Sequence, residues 1–135
     1  MLHGQTFRVD YLYRAPNKPN EVRRIYGFLT LDAAKRILIF TSKAERPWIR
    51  KQPALRIEIG AEAISHGTYE RESSTYVFFG WGVFVNVVDD RHYVTLQYKT
   101  ESGEAKYAIF HFENPLDHRE GLAAIEATLG VGIVR

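Results

Sequence analysis

The residues of this chain best suited to chemistry are five histidines and a group of arginines and lysines in its first half. The histidines are His3, His66, His92, His111 and His118. A protein metal site takes three or four ligands at recognisable spacings, such as two histidines one helical turn apart. None of the five shows such a spacing, so we expect no metal and no cofactor. His111 and His118 flank an expected strand-to-helix corner, where a close approach would suit acid–base work with nearby acids. A hydrolase or isomerase built on His111 and His118 is therefore the alternative reading. Against it, no serine stands in a Gly-x-Ser-x-Gly setting, no glycine-rich phosphate loop precedes a helix, and there is no cysteine. Asp89–Asp90, beside Arg91 and between two strand-like runs, reads as a turn. The expectation is no catalytic residue and no enzyme.

Charge is distributed unevenly. Residues 1–56 carry twelve Lys/Arg against four acids, a net of +8, while residues 57–135 carry six bases against twelve acids, a net of −6. A chain polarised in this way presents a basic face although its total is only +2. The acidic second half offers no continuous basic groove, so nucleic acid is not an expected partner.

The elements that must position these residues follow from periodicity. Phe7, Val9, Tyr11 and Tyr13 alternate with Arg8, Asp10, Leu12 and Arg14, the pattern of a half-buried strand. Residues 15–20, with Pro16 and Pro19, are expected to form a loop. A second strand over 22–31 turns at Asp32–Lys35 into a third over 36–41, as a hairpin. The loop 42–53 holds Pro47, Trp48 and four bases. Leu55, Ile57 and Ile59 mark a fourth strand, and residues 64–71 a fifth. Val94, Leu96 and Tyr98, a Glu101–Glu104 turn, and Ala108, Phe110 and Phe112 mark a closing hairpin.

The segment 76–84 is dense in aromatics. Its expected role is to fill the core with alternate residues, the glycines relieving a bend; exposed, it would be an adhesive patch. At the C-terminus the period changes. Asn114 suits a cap, Pro115 the first helical position and Asp117 the first turn. Leu122, Ile125 and Leu129 share one face, and Gly130 is a natural stop. The helix is expected from about Pro115 to Leu129.

One domain over 1–135 is expected at this length. The longest uncharged run, residues 73–88, falls short of the roughly 20 apolar residues of a spanning helix. With no basic-then-apolar leader and no cysteine, the expected location is cytoplasmic.

Gly27-Phe28-Leu29-Thr30-Leu31, the turn, and Ile37-Leu38-Ile39-Phe40 resemble the second and third strands of pleckstrin-homology-like domains, GRAM-like and small bacterial versions in particular. Residues 55–59 with 63–65, and 93–98 with 109–112 before the helix, are similar to the remaining strands. The resemblance covers nearly the whole chain, residues 73–90 excepted. It implies a mostly β fold: a bent, seven-stranded antiparallel barrel closed by one C-terminal helix. It also implies a non-catalytic binding or scaffold module. In such a barrel the loops after strands one and three open at one mouth, bringing together Arg14, Lys18, Arg23, Arg24, Arg46, Arg50 and Lys51, with Trp48 among them. Arginine forks suit phosphate, so the implied partner is an anionic membrane surface or a protein.

Overall fold

The computed structural model describes residues 5–15, 18–42, 54–80, 82–112 and 117–135, and their side chains except at 14, 15, 18–21, 74–80 and 83–89. The described residues are mostly β, with one α-helix. Seven antiparallel strands run β1 (Gln5–Ala15), β2 (Lys18–Asp32), β3 (Ile37–Ser42), β4 (Arg56–Gly60), β5 (Ile64–Gly80), β6 (Val83–Lys99) and β7 (Ala105–Phe112). Helix α1 (His118–Leu129) follows, then a short β8 (Ile133–Val134). One sheet takes the order β4-β3-β2-β1-β7-β6-β5-β8, leaving β4 and β8 as its two edges. Among the described residues, no helix is long and apolar enough to cross a membrane.

The period-two pattern buries what it should. Val9, Leu29, Leu38, Phe40, Val94, Leu96, Phe110 and Phe112 meet α1 residues Leu122, Ile125 and Leu129 in one core cluster. The helix comes close because Gly121 has no side chain: a Cβ there would lie 2.3 Å from the ring of Phe112. Gly130 ends the helix at φ 66°, its N–H donating to the Glu126 carbonyl at 2.9 Å. At this left-handed position glycine avoids a steric cost.

Several expectations need correction. Lys18, Pro19 and Asn20, expected in a loop, belong to β2, because a register shift at Arg14/Ala15 lets Ala15 pair with Lys18. Proline is tolerated near the start of a strand, where fewer ladder bonds need its missing N–H. Arg36, expected in the third strand, sits in the turn at φ 52°. The turn is pinned by the Lys35 N–H donating to Asp32 Oδ1 at 3.1 Å. Asp89–Asp90 is not a turn but part of β6, where Asp90 faces Ser73 and pairs with Arg71 at 2.9 Å. The eighth strand, in which Ile133 and Val134 pair in parallel with Gly67 and Thr68, was not anticipated. The expected helical start at Asn114 and Pro115 lies outside the described residues; α1 is flanked by Asp117, whose side chain makes no capping bond.

Strands β5 and β6 are much longer than expected. Their hairpin closes at Gly80 opposite Val83, with Gly82 at φ 74° supplying the turn conformation. The side chains of the aromatic segment 76–84, expected to fill the core, lie outside the described residues.

Candidate binding site

Strand β1 joins the two halves of the sheet, but only briefly. It pairs with β2 over its length, yet with β7 only from Val9↔Phe112 to Leu12↔Ile109. Beyond Leu12 the two strands part. The gap is a cleft of about 350 Å³ lined by Tyr11, Leu12, Tyr13, Val22, Tyr107 and Ile109. Tyr11 forms its floor, stacked on Tyr13 (6.2 Å between centroids, 14° between planes) and tilted against the buried Phe40 and Phe110. Burial, and then repulsion from Tyr98, push the Tyr11 hydroxyl above its ordinary pKa. It therefore stays a neutral hydrogen-bonding group. The rim is open: Val22 and Tyr107 are 58% and 61% exposed.

The basic residues expected from sequence fall into two groups. Register places Arg14 opposite Val22, Lys18 opposite Ala15, Arg23 opposite Tyr13 and Arg24 opposite Leu12, so all four occupy the end of the β1–β2 hairpin beside this cleft. Adjacent on one strand, Arg23 and Arg24 take opposite faces. Arg24 approaches Asp10, at 3.9 Å. Arg46, Trp48, Arg50 and Lys51 lie outside the described residues. Strand β3 leaves the sheet at Ser42, opposite Gly27, nine positions along β2 from Lys18. That is roughly 30 Å of extended strand. The described end of β3 thus falls well short of the hairpin end.

His111 and His118, expected to approach one another, have different surroundings. Phe110 and Phe112 point into the core, so His111 between them takes the opposite face. There it donates from Nδ1 to Asp10 Oδ2 at 3.2 Å, and the Tyr93 ring lies 5.1 Å from its own. Register extends this polar row across five strands: Glu70, Tyr93, His111, Asp10 and Tyr26. Asp10 is 2% exposed, and its Oδ1 has no hydrogen-bond partner among the described residues. Sequence reasoning missed it, because an acid on the wet side of an alternating strand reads as solvated.

His118 instead belongs to an inner cluster. Its ring stacks on His92, and Tyr69 lies parallel to both, 5.9 Å from His118 and 6.0 Å from His92. The Tyr69 hydroxyl is hydrogen-bonded to Nδ1 of the buried His92. Burial, reinforced by His118 and Arg71, lowers the His92 pKa, while burial raises that of Tyr69. Both shifts hold the pair neutral. Hydrogen bonds from Ser73 and Arg71 keep the neighbouring Asp90 below the usual carboxylate range. Among the described residues no group of three His, Cys, Asp or Glu side chains is arranged to hold a metal.

In comparisons with family models, curated proteins and solved structures, the chain matches none of them.

Proposed function

We propose that this chain is a non-catalytic, pleckstrin-homology-like binding module working in the cytoplasm. Its seven antiparallel strands would bend around the core as a near-barrel, with α1 covering one end. Its ligand would be an anionic lipid. The observation that carries this reading is the apolar cleft between β1 and β7, set beside the hairpin end that bears Arg14, Lys18, Arg23 and Arg24. An amphiphile suits both: an apolar portion against Tyr11, Val22 and Tyr107, and an anionic head near the arginines. Trp48, Arg46, Arg50 and Lys51 would extend the basic rim. Co-sedimentation with anionic phospholipid vesicles tests it. Wild type should bind at low salt, and Tyr107→Asp, which puts a carboxylate on the cleft rim, should not. Binding unchanged by Tyr107→Asp would remove the cleft from the reading.

One observation favours a second reading. The buried Asp10 holds the Nδ1 side of His111, leaving Nε2 as a base. A hydrolase or isomerase would then use Asp10 and His111, not His111 and His118. Turnover in a broad activity screen, abolished by His111→Ala, would favour it over the binding module.

A further inference from the structure

The outer half of the β5–β6 hairpin projects beyond the rest of the sheet. The β6–β7 ladder begins only at Tyr93↔His111, and the β5–β8 ladder is confined to Gly67 and Thr68. Among the described residues, 73–80 and 83–90 pair with one another alone, and no third strand lies along either outer edge. From 76 to 88 every position but Asn86 is hydrophobic or glycine. Two-stranded hairpins of this kind are marginal in water by themselves.

The edges of the sheet body are managed differently. Strand β4 is five residues long and carries Arg56 and Glu58, joined at 2.9 Å, and β8 is two residues long. Shortness and charge are the usual protections of a strand edge against unwanted pairing. The arm has neither protection: no charged residue and no proline occurs from 73 to 88.

We propose that this arm is the self-association surface of the protein, pairing edge to edge with the arm of a second copy about a two-fold axis. A strand is the partner that the free edge amides and carbonyls require, and a second copy supplies an identical unprotected edge. The edge is long enough: each strand of the arm offers eight consecutive positions, 73–80 and 83–90, against the five or six of a typical paired strand. A bilayer fits less well. A lone hairpin in hydrocarbon leaves its edges unsatisfied, and the flanking charges Arg71, Glu72, Asp89, Asp90 and Arg91 are net acidic, the wrong sign for an anionic surface.

Sedimentation of the full chain over a wide concentration range tests this. Wild type should pass from one-chain to two-chain mass, while Phe79→Lys/Phe84→Lys, which charges one rung of the arm, stays at one-chain mass. Glu58→Lys, on the body edge β4, should dimerise as wild type does. Amide exchange on wild type supplies a reading without mutation: protection at 74–80 and 83–88 should rise with protein concentration. A wild type that remains a monomer throughout overturns the proposal. So does a doubled mass that survives the paired lysines, or arm protection that appears only when vesicles are added.

Discussion

The imidazoles of His92 and His118 stack with centroids 3.8 Å apart and 2° between their planes. The stack joins strand β6 to the first residue of α1, so it helps to hold the helix on the sheet. It also sets a pH limit. The His92 pKa in the folded protein lies below its ordinary 6.5, first because the ring is buried, then because His118 and Arg71 face it, with Asp90 opposing them. The unfolded chain thus takes up this proton at higher pH than the folded one. Stability from this group is complete above the ordinary value and is lost as pH falls through the lower folded value. Thermal midpoints should therefore drop below about pH 6.5. His92→Phe keeps a ring against His118 but cannot titrate, and should flatten that limb. A wild-type midpoint constant from pH 8 to 5 would contradict this account.

Arg36 links the β2–β3 turn to the far end of the helix, donating from Nη2 to the Leu129 carbonyl at 3.0 Å. A cation there satisfies one of the last carbonyls and opposes the negative end of the helix dipole. The same residue holds a left-handed φ of 52°, which costs a non-glycine residue about 1–2 kcal/mol. Two substitutions separate these effects. Arg36→Ala loses the cap and keeps the strain, and should cost about 1 kcal/mol. Arg36→Gly loses the cap but relieves the strain, and should stay within about 0.5 kcal/mol of wild type. Urea titration of the three proteins gives the comparison.

The helix seat rests on Gly121 and Leu122. Gly121→Ala drives a methyl to 2.3 Å from Phe112 Cε1, and Phe112 is 1% exposed, with no open side to yield toward. Overpacking of this kind costs about 1–3 kcal/mol, more than the roughly 1 kcal/mol gained from alanine's helix propensity. Net destabilisation is expected, and it should shrink in a Phe112→Leu background, as a double-mutant cycle would read. Leu122→Asp buries an unpaired carboxylate at a 3% exposed position and should leave little folded protein at room temperature.

The core of this fold was legible because its code is local. Period two in β1, β2, β3 and β7, and the Leu122–Ile125–Leu129 stripe, place their residues in the one buried cluster. What escaped depended on partners far away in the chain. Asp89–Asp90 looks like a turn until Ser73 stands across from Asp90 and Arg71 pairs with it. Asp10 looks solvated until His111, 101 residues on, is paired beside it. Ile133–Val134 is too short a run to signal a strand without its place along Gly67–Thr68. The cleft has no linear signature at all, since it arises where the β1–β7 ladder stops.

The last prediction concerns the hairpin end beside that cleft. Arg23 is exposed, and register places it with Arg14 and Lys18 at one end of β2, while Lys35 is exposed in the turn at the other. Each Lys or Arg near an anionic surface contributes only about 1 kcal/mol, so binding needs several together. Reversing one charge removes an attraction and adds a repulsion of similar size, about 2 kcal/mol in all, or roughly 30-fold in affinity. Arg23→Glu should therefore weaken vesicle binding by about that factor, and Lys35→Glu should change it little. Salt should act in the same direction, because the screening length falls from about 30 Å at 0.01 M to about 8 Å at physiological strength. The arm of β5 and β6 is uncharged from 73 to 88, so vesicle binding through it would survive salt and both reversals. Co-sedimentation of the three proteins at the two salt concentrations distinguishes the surfaces. Equal losses for Arg23→Glu and Lys35→Glu would mean that net charge governs the association, and not the hairpin end.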